Sequence, residues 1–211
     1  MSFSQNSVGN CCGAWCVTRY LSLTKNTSWA SSDASFKKEG ETIWGDVKFK
    51  SGDGADPNWV TNEYSDPWKI VDALETRGVK ARLWIEIAAD RTTDPTLGGM
   101  VTTLKNLTSR GNKLIGRGNI SGLIKGGYAI AIMGETGGGM HYLLVRRPGE
   151  VADLELYDPR SETLNWTTHK TFNFLSPVIT KPIIGGSAKE QYFKFLGVYI
   201  AIETPYPFAK S

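Results

Sequence analysis

Residues 126–160 read GGYAIAIMGETGGGMHYLLVRRPGEVADLELYDPR. Three apolar segments, GGYAIAIM, HYLLVRR and LELYD, are separated by glycine- and proline-bearing turns, the pattern of consecutive antiparallel strands. A hairpin register centred on Gly149 and Glu150 pairs residues whose numbers sum to 299. Val145 then faces Leu154, Leu143 faces Leu156 and His141 faces Asp158, all on one side because side chains alternate along a strand. The other side pairs Arg146 with Asp153 and Tyr142 with Tyr157, so opposite charges meet away from an apolar ladder. Taken singly, His141 reads as a histidine at a strand start and Asp158 as a turn former before Pro159. Paired, they put an imidazole beside a carboxylate that orients the ring and favours its cation, the base-and-orienter half of a nucleophilic triad. The side-chain-poor GETGGGM before His141 leaves room for a substrate backbone.

The segment that supplies a nucleophile lies at the other end, QNSVGNCCGAWCVTRYL, residues 5–21. A helix is predicted from Cys11 or Cys12 to Leu23, with Gly13, Cys16, Val17, Tyr20 and Leu21 recurring on one face. A cysteine at a helix start feels the positive end of the helix dipole, which favours its thiolate. Gln5, on the preceding loop, offers an amide N–H that could join the cysteine's own N–H around a developing oxyanion. The stripe puts Cys16 in the core, Cys12 on its flank and Cys11 on the opposite side. Adjacent helical positions differ by ~100°, so Cys11 and Cys12 do not share an orientation. Three cysteines within residues 11–16 cannot staple a chain of 211 residues, and two histidines with no recurring CxxC pair do not make a metal site. His169, in the polar TTHKT, reads as a surface residue.

The rest of the chain supports one domain, helical over about 1–120 and β-rich over about 121–204. Residues 28–64 are rich in Ser, Asp, Gly and Asn and are expected to form loops with short helical turns. Asp66 and Pro67 open a helix that Gly78 closes. ARLWIEI follows as a strand, PTLGGMVTTLKNLTSRGNKLI reads as weakly helical to Gly111, and FLGVYIAIE is a last strand. The fold class is therefore α+β. Net charge is only +3 with no basic run, so nucleic acid is not an expected partner. No apolar run approaches the ~20 residues of a membrane helix. GETGGG lacks the spacing of a phosphate loop, and no cofactor is expected.

Gln5, a six-residue step to Cys11, then His141 on a strand and Asp158 in a DP turn resemble the landmarks of the papain-like cysteine peptidases, in the family order. QNSVGNCCGAW is most similar to the staphopain-type and bacteriocin-processing groups and to effector proteases of bacterial pathogens. The resemblance spans these landmarks and the layout of the second half, not residues 28–64 or 89–120. It implies a nucleophile helix packed on an antiparallel sheet, with Gln5 at the oxyanion, Cys11 as nucleophile, His141 as base and acid, and Asp158 as orienter. A glycine follows the nucleophile in the bacteriocin-processing group, which favours Cys12, so Cys12 is the alternative. The resemblance also implies a protein or peptide substrate and an effector or toxin, and because Gln5 lies almost at the start of this sequence, a protein made in active form without an inhibitory prosegment is expected. Such a protein is restrained by an inhibitor or immunity partner, or is cytoplasmic in its producer and exported without a cleaved signal peptide. Two alternatives use the same fold: a cell-wall peptide amidase or endopeptidase, disfavoured by Asn10 where such enzymes carry an acid, and an inactive binding module.

Overall fold

A computed structural model describes residues 10–24, 33–52, 57–91, 102, 116–135, 139–150, 153–160, 166–180, 183–184, 187–188 and 190–203. Gln5 and most of the weakly helical reading between 95 and 115 lie outside the described residues. The chain is α+β, with a helical N-terminal part and a large sheet. Helix α1 spans Cys12–Thr24, α2 Asp33–Val47, α3 Pro57–Thr61, α4 Pro67–Thr76 and the short α5 Ile87–Asp90. The strands are β1 Lys80–Ile85, β2 Gly116–Arg117, β3 Tyr128–Glu135, β4 Met140–Arg146, β5 Leu154–Tyr157, β6 Thr167–His169, β7 Pro177–Thr180, β8 Ile183–Ile184, β9 Ser187–Ala188 and β10 Gln191–Glu203. The main sheet runs β2-β1-β10-β3-β4-β5-β6, with β7 on the first part of β10. Its pairings are antiparallel except β1 with β2. β1 and β2 precede residue 120, so the first half of the chain contributes to the sheet as well as the helices.

Both faces of the central strands are buried, which is why they read as apolar runs rather than clean alternations. Ile130, Ile132, Tyr142 and Leu144 face the cluster that holds α1, α2 and α4. Ala131, Met133, Leu143 and Val145 face a second cluster closed by Phe172, Val178, Phe193 and Phe195. α1 packs against α2, α4 and β4, and every residue from Cys12 to Leu21 is buried. A helix enclosed on all sides has no solvent face. The expectation that Cys11 lies opposite a one-sided core stripe is corrected accordingly: Cys11, Cys12 and Cys16 are all buried.

The 15-residue α2 corrects the expectation of loops between 28 and 64. Its signal was periodic rather than compositional: Phe36, Gly40, Ile43 and Val47 are buried at helical spacing. Gly40 is required there, since a Cβ would lie 2.3 Å from the Trp15 ring of α1. Around α4 the reading holds. Asp66 caps through Trp68 N–H at 2.8 Å, Pro67 is the first helical residue, and Gly78 follows the end at φ +73°.

The turn after β1 is held by a buried carboxylate. Glu86 accepts Ile120 N–H at 2.9 Å through one oxygen and Phe174 N–H at 2.7 Å through the other. Its own N–H donates to Gly197 O at 2.7 Å. Gly197, at φ +68°, sits in the irregular stretch of β10 between Phe195 and Tyr199, and a Cβ there would lie 2.4 Å from Ala89 Cβ. Glu86→Ala leaves two N–H groups without their acceptor, so the variant is expected to lose about 2 kcal/mol or more of unfolding free energy. Urea denaturation of the two proteins measures it, and an unchanged midpoint would remove Glu86 from this role. Among the described residues no helix is long and apolar enough to cross a membrane.

Candidate active site

Strand pairing brings His141 and Asp158 together. The observed register of β4 and β5 pairs Leu144 with Tyr157, Val145 with Leu156 and Arg146 with Glu155. It differs by two residues from the expected one, so Arg146 meets Glu155, at 2.7 Å, and not Asp153. A two-residue shift returns every side chain to the same face. His141 and Asp158 therefore stay on one side, diagonal rather than opposite, and His141 Nε2 lies 2.9 Å from Asp158 Oδ1.

Each partner of the pair is fixed by its local chain. Asp158 follows the last residue of β5, and its Oδ1 also accepts Arg160 N–H at 2.9 Å, an Asx turn around Pro159. The Thr180 side chain of β7 also helps hold the Asp158 carboxylate down. The His141 ring stacks on Phe193 of β10, with centroids 4.8 Å apart and planes 24° apart. The Arg160 guanidinium sits 5.7 Å from the centre of the same Phe193 ring. Phe193, Thr180 and Arg160 were not read from the sequence as site residues. Only Arg160, two residues beyond Asp158 in a DP turn, left a local signal.

The electrostatics favour an ion pair. Complete burial pushes the His141 imidazole down, but Asp158 and then Cys12 outweigh it and raise it to about 9. Burial likewise pushes Asp158 up, and the charge and hydrogen bond of His141 bring it below the ordinary carboxylate value.

Cys12 is the cysteine at this ring. Asp158 takes Nε2, and Cys12 acts on the imidazole both by charge and within hydrogen-bonding reach. Among the described residues Nδ1 makes no hydrogen bond. Cys12 is the first residue of α1, and Trp15 N–H donates to Cys11 O at 3.1 Å, which makes Cys11 the residue before the helix. The expected nucleophile is Cys11 with Cys12 its alternative, and Cys12 is the cysteine that acts on the His141 ring. Burial first, then Cys12 and Glu41 of α2, push the Cys11 thiol up. The reason is angular: one residue along a helix turns a side chain by ~100°, and the start of α1 aims Cys12 at β4. Gln5, the expected oxyanion residue, lies outside the described residues.

His169 is half-buried in β6 rather than on the surface, its ring 6.2 Å from Phe172, and burial pushes its imidazole down. Among the described residues no group of three or more His, Cys, Asp or Glu could hold a metal ion. Comparison with known proteins finds no family model that matches the chain and no characterised protein that matches it in sequence.

The pair also sets a pH dependence. His141 is raised from 6.5 to about 9, so its stabilisation is complete below 6.5 and is lost as pH rises through about 9. Asp158 is lowered from 3.8, so its share is present above 3.8 and lost as pH falls through its lowered value. The stability gap between the native protein and Asp158→Asn is expected to be widest between those limits and to shrink toward alkaline pH. Calorimetry of both proteins across that range measures it. A gap that widens above pH 9 would contradict the ion pair.

Proposed function

We propose that the chain is a papain-like thiol hydrolase that cleaves an amide bond in a protein or peptide, with Cys12 as nucleophile, His141 as base and acid, and Asp158 as orienter. One observation carries the reading: Cys12 and Asp158 both engage the His141 ring, and Cys12 begins a helix. In the mechanism that follows, the imidazolium stabilises the thiolate, whose sulfur attacks the substrate carbonyl carbon. The resulting oxyanion is opposed by the Cys12 N–H, one of the first-turn donors with no intrahelical acceptor. Collapse breaks the C–N bond, and His141 delivers its proton to the leaving amine. The neutral ring then takes a proton from water, which attacks the thioester; collapse releases the acid and the Cys12 thiolate and restores the thiolate–imidazolium pair. Asp158 holds the ring by Nε2 throughout, keeping Nδ1 for the reacting side.

A second reading is favoured by burial. Cys12 is 1% exposed and His141 0%, so a substrate reaches the sulfur only after this structure opens. The corresponding alternative is a papain-like module that binds a partner without turnover.

Alkylation separates the two. Treatment with an epoxysuccinyl inhibitor followed by peptide mass spectrometry is expected to place the adduct on Cys12 and not on Cys11. Cys12→Ala is expected to lower peptidase activity by about 10³-fold or more, while Cys11→Ala keeps most of it. Cys12 reacting no faster than a free thiol would favour the non-catalytic module, and loss of activity only in Cys11→Ala would return the nucleophile to Cys11.

A further inference from the structure

Arg160 ends the turn that carries Asp158, and its backbone and side chain do different things. Its N–H belongs to the ion pair, 2.9 Å from Asp158 Oδ1. Its guanidinium does not. One N–H of the guanidinium donates to Gln191 Oε1 at the start of β10, and Cζ lies 5.7 Å from the centre of the Phe193 ring. Phe193 is the ring that stacks on His141, with centroids 4.8 Å apart. The guanidinium is thus one aromatic ring removed from the imidazole. At ~3.4 Å per residue of extended chain, those two contacts in series keep the two groups within about three residue lengths of each other.

This cation has no anion. Arg77, Arg82 and Arg117 each meet a carboxylate at 3.2 Å, and Arg146 meets one at 2.7 Å. Among the described residues Arg160 forms no ion pair. Three acidic residues stand near it in the fold. Asp158 is engaged by His141, Glu190 accepts the Tyr192 hydroxyl at 2.6 Å, and Glu135 is the cross-strand partner of Phe193. None of the three bridges to the guanidinium. A guanidinium has five N–H donors and no acceptor, and Gln191 takes one of them. Because that group only donates, the Gln191 amide turns its oxygen toward it, which leaves the Gln191 NH2 as a further donor beside the fork. Arg160 and Gln191 are half-buried, whereas His141 and Phe193 are buried, so the donors lie at the edge of the enclosed pair. The Phe193 ring beside them keeps the local dielectric low and strengthens a charge pair formed there.

We propose that Arg160, with Gln191, forms a carboxylate-binding subsite beside the Cys12–His141 pair. The preferred substrate then carries a carboxylate, from an acidic side chain or a free C-terminus, within about three residues of the bond that is cut. The planar fork of the guanidinium takes both oxygens of such a group. This subsite rests on the thiol-hydrolase reading and names a substrate class for it.

The test uses internally quenched peptides of Gly and Ala in matched sets. One set carries a single Glu stepped along an amidated chain, a second carries Gln at the same positions, and a third has no Glu but a free C-terminal carboxylate. Values of kcat/KM are measured for the native chain, Arg160→Gln and Arg160→Lys, and mass spectrometry locates each cut. The native protein is expected to favour a carboxylate peptide over its neutral match by about 10-fold or more. Arg160→Gln is expected to bring that ratio to about 1, and Arg160→Lys, which keeps the charge without the fork, to retain part of it. A preference among the Glu peptides assigns the carboxylate to a side chain, and a preference confined to the third set assigns it to the C-terminus. A native ratio near 1, or a ratio that survives in Arg160→Gln, would overturn the subsite. So would equal slowing of carboxylate and neutral peptides in Arg160→Gln, because Arg160 would then act by positioning Phe193 and His141. If the native protein cuts no peptide and an epoxysuccinyl inhibitor does not alkylate Cys12, the hydrolase reading itself fails and the Arg160 subsite falls with it.

Discussion

An imidazole and a carboxylate, 2.9 Å apart and almost fully removed from water, set the terms for the rest of the molecule. Removing two charges from solvent costs several kcal/mol per ion, and their attraction offsets that only with good geometry and further hydrogen bonds. The surrounding structure supplies them. Arg160 N–H bonds the oxygen that His141 also uses, Thr180 steadies the carboxylate, and Phe193 fixes the plane of the ring. These groups come from a turn, β7 and β10, so the strand order that places β10 beside both β3 and β7 is what lets the pair exist. A buried pair of this kind is weak evidence of net stability. Its consistent product here is one defined orientation of the His141 ring.

The second constraint is the enclosure of α1. Because helices and strands cover it on every side, the residue at its start is delivered to β4 by rigid packing rather than by a loop. Close approach is secured by glycines: Gly13 admits Ser65, and Gly40 admits the Trp15 ring. The same enclosure leaves Cys12 and His141 almost fully buried.

Much of this was legible locally. β3, β4, β5 and β10 follow from apolar runs bounded by glycine and proline, and α4 from its cap, its proline and its closing glycine. His141 and Asp158 share a face because parity along a strand survives a two-residue error in register. α2 was hidden because its polar composition resembles a loop, although Phe36, Gly40, Ile43 and Val47 keep helical spacing. Phe193 and Thr180 lie 52 and 39 positions from His141 and carry no local mark of a site.

The sequence by itself determined the α+β class, the main strands, a cysteine at a helix start and the facing of His141 toward Asp158. Each of these depends on periodicity, capping or alternation within a short stretch of chain. Only the tertiary structure decided which cysteine meets the imidazole. A one-residue step turns a helical side chain by ~100°, and a helix buried on all sides offers no polar face from which to read its orientation. The packing of α1 against β4, α2 and α4 settles that rotation and brings Cys12 to the ring.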